Sequence, residues 1–489
     1  MGVDTVLEAF IKNAGNNPDK LCVIDKGKAL NYSQLLVHVK KIAKYLQDRN
    51  VKYGDVVGIR ATQSVEFVAA FLGAQYAGAV PCALEKSASA ERTEKVLQSV
   101  SSDFMLESNR GQINEKGRLD LIEAFNYLYV AENIVKRDVS DDAEIIFTTG
   151  TTGESKGIRI SYRAEVAIAE NVIDSVSMSS DEVELITTPV SHSLAIRRFL
   201  TALYIGSTAI ISENFLIYNN FWGLIEKYNV TAIVTVPSVI KLIIEAYGNK
   251  IAEYASQLKY IQLSSAPLHE ELKSCLRDLL PGCRLYNIYG STEAGCTAVL
   301  EFSKYSEGKG CIGRPTVNTK VLFVDENRNR VSGAEDESSA CLLAFEGPMN
   351  MSGYINEPGL TQKVLDKGVV YTSDIGYVDS SGMIYLMGRV GEVINSGGLK
   401  INPNEIEEVV LTLADVTDCA CIPVKDARRG EIPKLFVILK DDADTDVKEI
   451  KKYLREKLED YKVPDEIELT DSIPRTFNGK IKRAELQKK

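Results

Sequence analysis

The sequence predicts an α/β protein: a large N-terminal domain of helix-covered, mainly parallel sheets that includes a β-rich subdomain, then a small C-terminal α+β domain. Three observations predict it. Short apolar runs alternate with helical stretches up to about residue 320, the pattern of a parallel sheet with crossover helices. Beyond Lys320 short strands follow one another across turns, without intervening helices. After Gly388 the pattern restarts as loop, helix, strand, strand and helix. The expected domains are therefore 1–388, with the β-rich part at about 320–388, and 389–489.

In chain order, Asn31–Arg49 reads as a helix, because Leu35, Leu36, Val39, Ile42, Ala43 and Leu46 recur at helical spacing. Val56–Arg60 is a short apolar strand, Val65–Ala77 a helix and Val80–Leu84 a buried strand. The alternation continues with strand Glu144–Thr148, helix Arg163–Ser175 and strands Glu184–Thr188 and Thr208–Ile211. Helix Trp222–Tyr228 and strand Ala232–Val236 follow. Strands Val321–Asp325, Ala340–Phe345, Tyr371–Asp374 and Met383–Met387 make the β-rich part. The last unit has helix Asn404–Leu413, strands Cys419–Pro423 and Leu435–Leu439, and helix Val447–Tyr461. The boundary falls near Gly388–Gly391, where glycine permits unusual backbone angles.

Composition excludes several functions. The 489 residues carry a net charge of −11, which argues against general nucleic-acid binding, since phosphate contacts need a basic face. No apolar run reaches the length of a membrane span. Met1–Phe10 contains Asp4 and Glu8, so a secretory signal is not expected. Nine scattered cysteines without CxxC spacing fit a reducing cytoplasm rather than a disulfide framework. Three histidines (His38, His192 and His269) are too few for a histidine-rich metal centre.

Four segments carry chemistry. FTTGTTGESKGI, Phe147–Ile158, follows an apolar strand. Its glycines let the backbone turn N–H groups toward one anion, while hydroxyls and Lys156 add donors and charge, which suits a polyphosphate. It is not a Walker loop, since GxxxxGK[ST] would need glycine at Ser155. NIYGSTEAG, Asn287–Gly295, puts Glu293 in a turn after an apolar strand, where a carboxylate can hold Mg²⁺ through a nucleotide. In the third segment, Asp374 ends a strand and can accept from a ribose diol, while Arg389 sits at the domain boundary. The plainer readings there are a helix cap and a surface ion pair. PRTFNGKIKR, Pro474–Arg483, is a basic turn containing Lys480, which alone would read as solvated surface.

These four segments, in this order, resemble the adenylate-forming (AMP-binding) superfamily: acyl- and aryl-CoA synthetases, firefly luciferase and the adenylation domains of nonribosomal peptide synthetases. The resemblance runs nearly end to end, and Phe67–Glu85 also looks like the family's N-terminal helix and strand. It implies that Thr148, Thr149, Gly150, Thr151, Thr152, Gly153 and Lys156 hold the pyrophosphate part of ATP. It implies that Asn287 hydrogen-bonds adenine, Tyr289 stacks on it, and Asp374 and Arg389 bind ribose. Thr292 would contact the α-phosphate region, Glu293 the Mg²⁺, and Lys480 would bridge the substrate carboxylate and the α-phosphate. The implied C-terminal domain is a mobile lid that rotates after adenylation, with Gly397 and Gly398 then facing a pantetheine arm. No protein nucleophile is needed, because positioning and charge stabilisation carry the reaction.

Two departures stand out. The hinge position, usually Asp or Lys in relatives, is Gly391, and AEDESSA (Ala334–Ala340) replaces the family's GExGE run, which leaves that turn's geometry open. The stretch PVSHSLAIRR lacks the aspartate with which amino-acid-activating relatives pair their substrate's ammonium. Together with SGGLKINPNEIEE, Ser396–Glu408, this favours acyl-CoA formation. His192 is a pocket-wall residue or a core histidine; Ser264, Ser265, Ala266 and Ile288 are further pocket candidates. Arg197 and Arg198 read as a surface-facing pair, with a second substrate carboxylate as the alternative use. The expected enzyme is a cytoplasmic AMP-forming acid–thiol ligase that uses ATP, Mg²⁺ and CoA on a small carboxylic acid. The alternatives are an enzyme that loads the phosphopantetheine of an acyl carrier protein and a non-catalytic nucleotide-binding relative.

Overall fold

A computed structural model describes residues 4–108, 117–149, 155–304, 308, 310–397, 399–475 and 481–487. Two sheets organise the N-terminal domain among these residues. In the larger, Leu21–Ile24, Thr208–Ile211, Val183–Ile186, Ala232–Thr235, Tyr260–Ser264 and Arg284–Ser291 lie side by side, all parallel. In the smaller, the parallel strands Phe104–Glu107, Val56–Ala61, Val80–Glu85 and Asp142–Thr149 lead to the antiparallel strand Ser155–Ser161.

Helices Val65–Tyr76 and Ser193–Ile205 lie between the two sheets, because one hydrophobic core joins their residues to Ile59 and Ile146 of one sheet and Ile186 and Val234 of the other. All twelve residues of Val65–Tyr76 are buried, which explains its apolar character around the whole circumference. A second core covers the opposite face of the larger sheet, where Ile261 and Leu263 pack with Trp222.

The β-rich part extends the larger sheet rather than standing apart. Antiparallel pairing begins before Lys320, at Gly295–Glu301, and continues through Cys311–Pro315, Ile384–Arg389, Val369–Val378, Cys341–Glu346 and Lys320–Val324. The AEDESSA stretch forms a capped 3₁₀ turn, Glu337–Ser339, in which the Asp336 carboxylate accepts from the Ser339 N–H at 2.9 Å.

The C-terminal unit has its own sheet and a core of Ile394, Ile401, Ile406, Leu435, Val437 and Ile450. Its last long helix is shorter than the sequence pattern suggests. Val447–Lys457 stops where Leu458 turns extended, and a separate 3₁₀ turn, Asp460–Lys462, precedes Pro464.

The expectation for Arg197 and Arg198 is overturned. They are 4% and 0% exposed, not surface-facing. Arg197 pairs with Glu144 of the smaller sheet, and Arg198 pairs with Glu184 of the larger. Burying a guanidinium requires such a partner, and consecutive positions on one helix reach opposite sheets. Among the described residues no helix is long and apolar enough to cross a membrane.

Candidate active site

The site is assembled from the ends of strands and the turns that follow them. Asp142–Thr149 and Ser155–Ser161 form a hairpin with Thr148 opposite Lys156 and Phe147 opposite Gly157. Its tip, Gly150, Thr151, Thr152, Gly153 and Glu154, lies outside the described residues, as do the side chains of Thr148 and Thr149. The short strand Gly353–Tyr354 pairs with the outer edge of this hairpin, setting Tyr354 opposite Ile158. The Lys156 Nζ lies 6.0 Å from the centre of the Tyr354 ring, within reach of a cation–π contact. The Tyr354 hydroxyl donates to Glu293 Oε1 at 2.9 Å. The hairpin expected to hold phosphates and the predicted magnesium carboxylate are thus joined through one tyrosine. Burial first, and the Glu293 carboxylate second, push the Tyr354 phenol well above its ordinary pKa.

Two glycines explain why Glu293 can stand there. The turn Ser291–Gly295 reverses the chain between antiparallel strands, and Gly295 has φ +64°. A Cβ on Gly290 would sit 2.0 Å from the Gly295 carbonyl oxygen. The Ser291 Oγ accepts from the Ala294 N–H at 3.1 Å, and the Met351 N–H donates to the Glu293 carbonyl at 2.8 Å. Thr292 occupies the same turn, half-buried.

A second group lies along the same strand. Asn287 and Tyr289 are two residues apart and share a face. The Tyr289 hydroxyl donates to Asp374 Oδ2, and Arg389 Nε donates to Asp374 Oδ1 at 2.7 Å. Asp374 and Arg389 face each other directly across antiparallel strands, so register alone brings them together. Asp374 holds the Arg389 guanidinium even more firmly protonated than usual, while burial, then Asp374, raises the Tyr289 phenol. Asn287 Oδ1 is buried and has no hydrogen-bond partner among the described residues.

The pocket candidates divide. Ser264 closes its strand and donates to the Ile288 carbonyl at 2.8 Å; Ser265 follows with φ +74°, and Ala266 is half-buried. Ile288 itself packs into the core between the sheets. His192 is half-buried at the start of helix Ser193–Ile205, and burial, the largest effect, lowers its pKa and favours the neutral imidazole.

At the boundary expected from the sequence, Gly391 has φ +82°, in a loop where the Glu392 and Val393 N–H groups both donate to the Arg389 carbonyl. Gly397 is exposed, with φ +58°. Gly398 and Lys480 lie outside the described residues. The segment carrying Lys480 is flanked by a bridge between Arg475 and Ile481, and Arg475 Nε donates to Asp418 Oδ2 at 3.0 Å. Just beyond, Arg483 is buried against Glu407 at 2.6 Å. Sequence reasoning missed Tyr354. It sits in a two-residue strand whose pairing no periodicity announces.

Residues 10–355 match the family model described as AMP-binding enzyme, and residues 405–480 match that of the AMP-binding enzyme C-terminal domain. The chain belongs to the AMP-binding enzyme family. This AMP-binding enzyme is an adenylate-forming ligase, as its motifs led one to expect. It is 28% identical over 509 residues to 4-coumarate–CoA ligase 2 of Petroselinum crispum, covering 98% of this chain and 92% of that one. It is 27% identical over 485 residues to 4-coumarate:CoA ligase 1 of Petunia hybrida, covering 93% and 88%. Its fold is that of ATP-bound MatB from Rhodopseudomonas palustris, with TM-score 0.87, 21% identity and coverage of 99% and 98%. It is also that of the O-succinylbenzoate CoA synthetase MenE from Bacillus subtilis with ATP and magnesium, with TM-score 0.85, 22% identity and coverage of 98% and 99%.

Proposed function

We propose that this enzyme activates a small carboxylic acid with ATP and Mg²⁺ to an acyl-adenylate, releases pyrophosphate, and transfers the acyl group to the thiol of CoA. One observation carries the reading. Asp374, held by Tyr289 and Arg389, lies on the same strand system as Asn287, whose buried Oδ1 has no partner among the described residues. That combination fits an adenosine: an exocyclic amine satisfies the amide oxygen, and a diol donates to a carboxylate with lone pairs to spare.

Bound ATP supplies the electrophilic α-phosphorus and the pyrophosphate leaving group. The chain's own groups do the positioning. Lys156 and the hairpin, from Thr148 to Gly153, receive the phosphates, and Tyr354 orients Glu293 so that a carboxylate oxygen is available to Mg²⁺. Thr292, in the turn beside Glu293, would contact the α-phosphate. Lys480 offsets the repulsion between substrate carboxylate and phosphate. His192, kept neutral by burial, borders the acid without adding a charge. The lid is residues 389–489, Gly391 is its hinge, and Gly397 and Gly398 border the thiol path. CoA is favoured as acceptor because the curated relatives that match along nearly the whole chain are CoA ligases.

The test is acid-dependent exchange of labelled pyrophosphate into ATP over a panel of fatty, aryl and dicarboxylic acids, followed by thioester formation with free CoA. Exchange together with a CoA thioester is expected. Exchange followed by transfer only to a carrier protein would replace CoA as acceptor. Nucleotide binding without exchange by any acid would refute adenylation.

A further inference from the structure

We propose that Gln63 is a positioning residue for adenylation: it ties the turn that carries His192 to the sheet that carries the Lys156 hairpin, and so sets how the acid approaches the α-phosphorus. The proposal rests on the adenylation reading above and deepens it.

Gln63 stands two residues past strand Val56–Ala61 of the smaller sheet, just before helix Val65–Tyr76. Its side-chain amide makes three hydrogen bonds, all to backbone that follows strands of the larger sheet. Nε2 donates to the Thr188 carbonyl at 3.1 Å and to the Ser212 carbonyl at 3.0 Å, and Oε1 accepts from the Val190 N–H at 2.6 Å. Thr188 follows strand Val183–Ile186, and Ser212 follows its parallel neighbour Thr208–Ile211. The amide therefore bridges the carboxyl ends of parallel strands in both sheets, the edge at which open α/β sheets hold their ligands. Two residues beyond Val190 stands His192, whose N–H donates back to the Pro189 carbonyl at 2.9 Å. The turn is closed on itself and held from outside by Gln63.

The smaller sheet carries the other reactant's side. Strand Val56–Ala61 pairs with Val80–Glu85, which pairs with Asp142–Thr149, the first strand of the Lys156 hairpin. The two sides meet beside the turn. A small cavity of about 20 Å³ is lined by Ser191, next to His192, and by Phe147 and Glu85 of the smaller sheet. Burial lowers the His192 pKa, and the Glu85 carboxylate opposes that effect from across this junction. In the adenylation reading the hairpin receives the phosphates and His192 borders the acid, so Gln63 fixes the offset between the two reactants. Cohesion between the sheets already comes from their shared apolar core; what the amide adds is direction. Direction matters because the reacting atoms must come within about 3–3.5 Å, and an error near 1 Å can cost about 100-fold in rate.

Pyrophosphate exchange by the full-length chain is measured with the fastest acid among hexanoate, cinnamate and succinate, for the parent, Gln63→Met, His192→Ala and the double variant. Gln63→Met keeps the length and bulk and removes all three hydrogen bonds. It is expected to lower kcat/KM for the acid by about 10- to 100-fold, while the KM for ATP stays within about 3-fold of the parent. His192→Ala should lower the same kcat/KM, and the double variant should match the more damaged single within about 3-fold, because both changes act on one turn. Gln63→Asn, which keeps an amide but falls one methylene short, replaces the methionine variant if that one melts below the assay temperature. Losses that multiply in the double variant, an equal loss for acid and ATP, no loss in Gln63→Met, or unchanged kinetics in His192→Ala would overturn the positioning role and leave adenylation standing. No exchange by the parent with any acid of the panel above would remove the adenylation reading and this proposal with it.

Discussion

Arg197 is the place to test how the two sheets are held in register. Its guanidinium is 4% exposed and pairs with Glu144, which is fully buried. Glu165 lies close by, where Gln75 donates to it at 3.0 Å, and Glu144 is a recognised influence on its titration. Arg197→Met removes the positive charge that favours ionisation of both carboxylates. Breaking a buried pair from one side costs about 3–5 kcal/mol, because the remaining charge is stranded. At about 2 °C per kcal/mol for a large domain, the melting temperature should fall by roughly 6–10 °C. Replacing both partners with apolar residues of similar volume is close to neutral. Arg197→Met with Glu144→Leu should therefore melt within about 3 °C of the parent. Differential scanning calorimetry of parent, single and double variants measures this directly. A double variant as unstable as the single, or a single as stable as the parent, would refute the argument that the pair is a mutually dependent buried unit.

Three further outcomes are expected. Tyr354→Phe deletes the hydroxyl that orients Glu293; losing a hydrogen bond to a charged group, about 1.5–3 kcal/mol, should lower kcat roughly 10- to 100-fold, with a raised magnesium requirement in a titration of rate against Mg²⁺. Lys480→Ala should abolish pyrophosphate exchange while a fluorescent ATP analogue still binds; near-normal exchange would remove Lys480 from the adenylation step. Glu165 has its pKa raised well above the ordinary 4.5, chiefly by burial and next by Glu144. A raised carboxylate stabilises the fold fully below that ordinary value, and the benefit is lost as pH climbs from it toward the folded pKa. Glu165→Gln should therefore flatten the decline of chemical-denaturation stability above about pH 4.5, and an unchanged slope would show that Glu165 is not the group responsible.

Much of the site was legible because its residues lie in short contiguous strings. Glu293 stands in a turn, as its string suggests, whereas Lys156 lies in a hairpin strand rather than a loop and Asp374 lies inside strand Val369–Val378 rather than at the end of one. Asp374 and Arg389 are both assigned to the ribose from sequence, yet their direct ion pair depends on the register of Val369–Val378 against Ile384–Arg389, which two short strands do not reveal without their neighbours. Tyr354 was invisible for the same reason: its strand has two residues and owes its existence to the hairpin it pairs with. The antiparallel start at Gly295 was hidden because an edge of a mixed sheet has the same apolar runs as its centre.

The reversal at Arg197 and Arg198 is more instructive, since the signal was present and went unused. Two adjacent arginines on a helix look like a solvated face. The strands DAEIIFTT and VELI each contain a glutamate amid apolar residues, at positions that a buried parallel strand must bury. An isolated buried carboxylate is prohibitively costly, so each such glutamate demands a cation or a proton. The helix that separates these two strands from the opposite sheet offers two arginines in succession. Consecutive helical residues point about 100° apart, so neither can serve both carboxylates and one must turn to each sheet. Charge balance in the interior thus predicts the bridge from sequence.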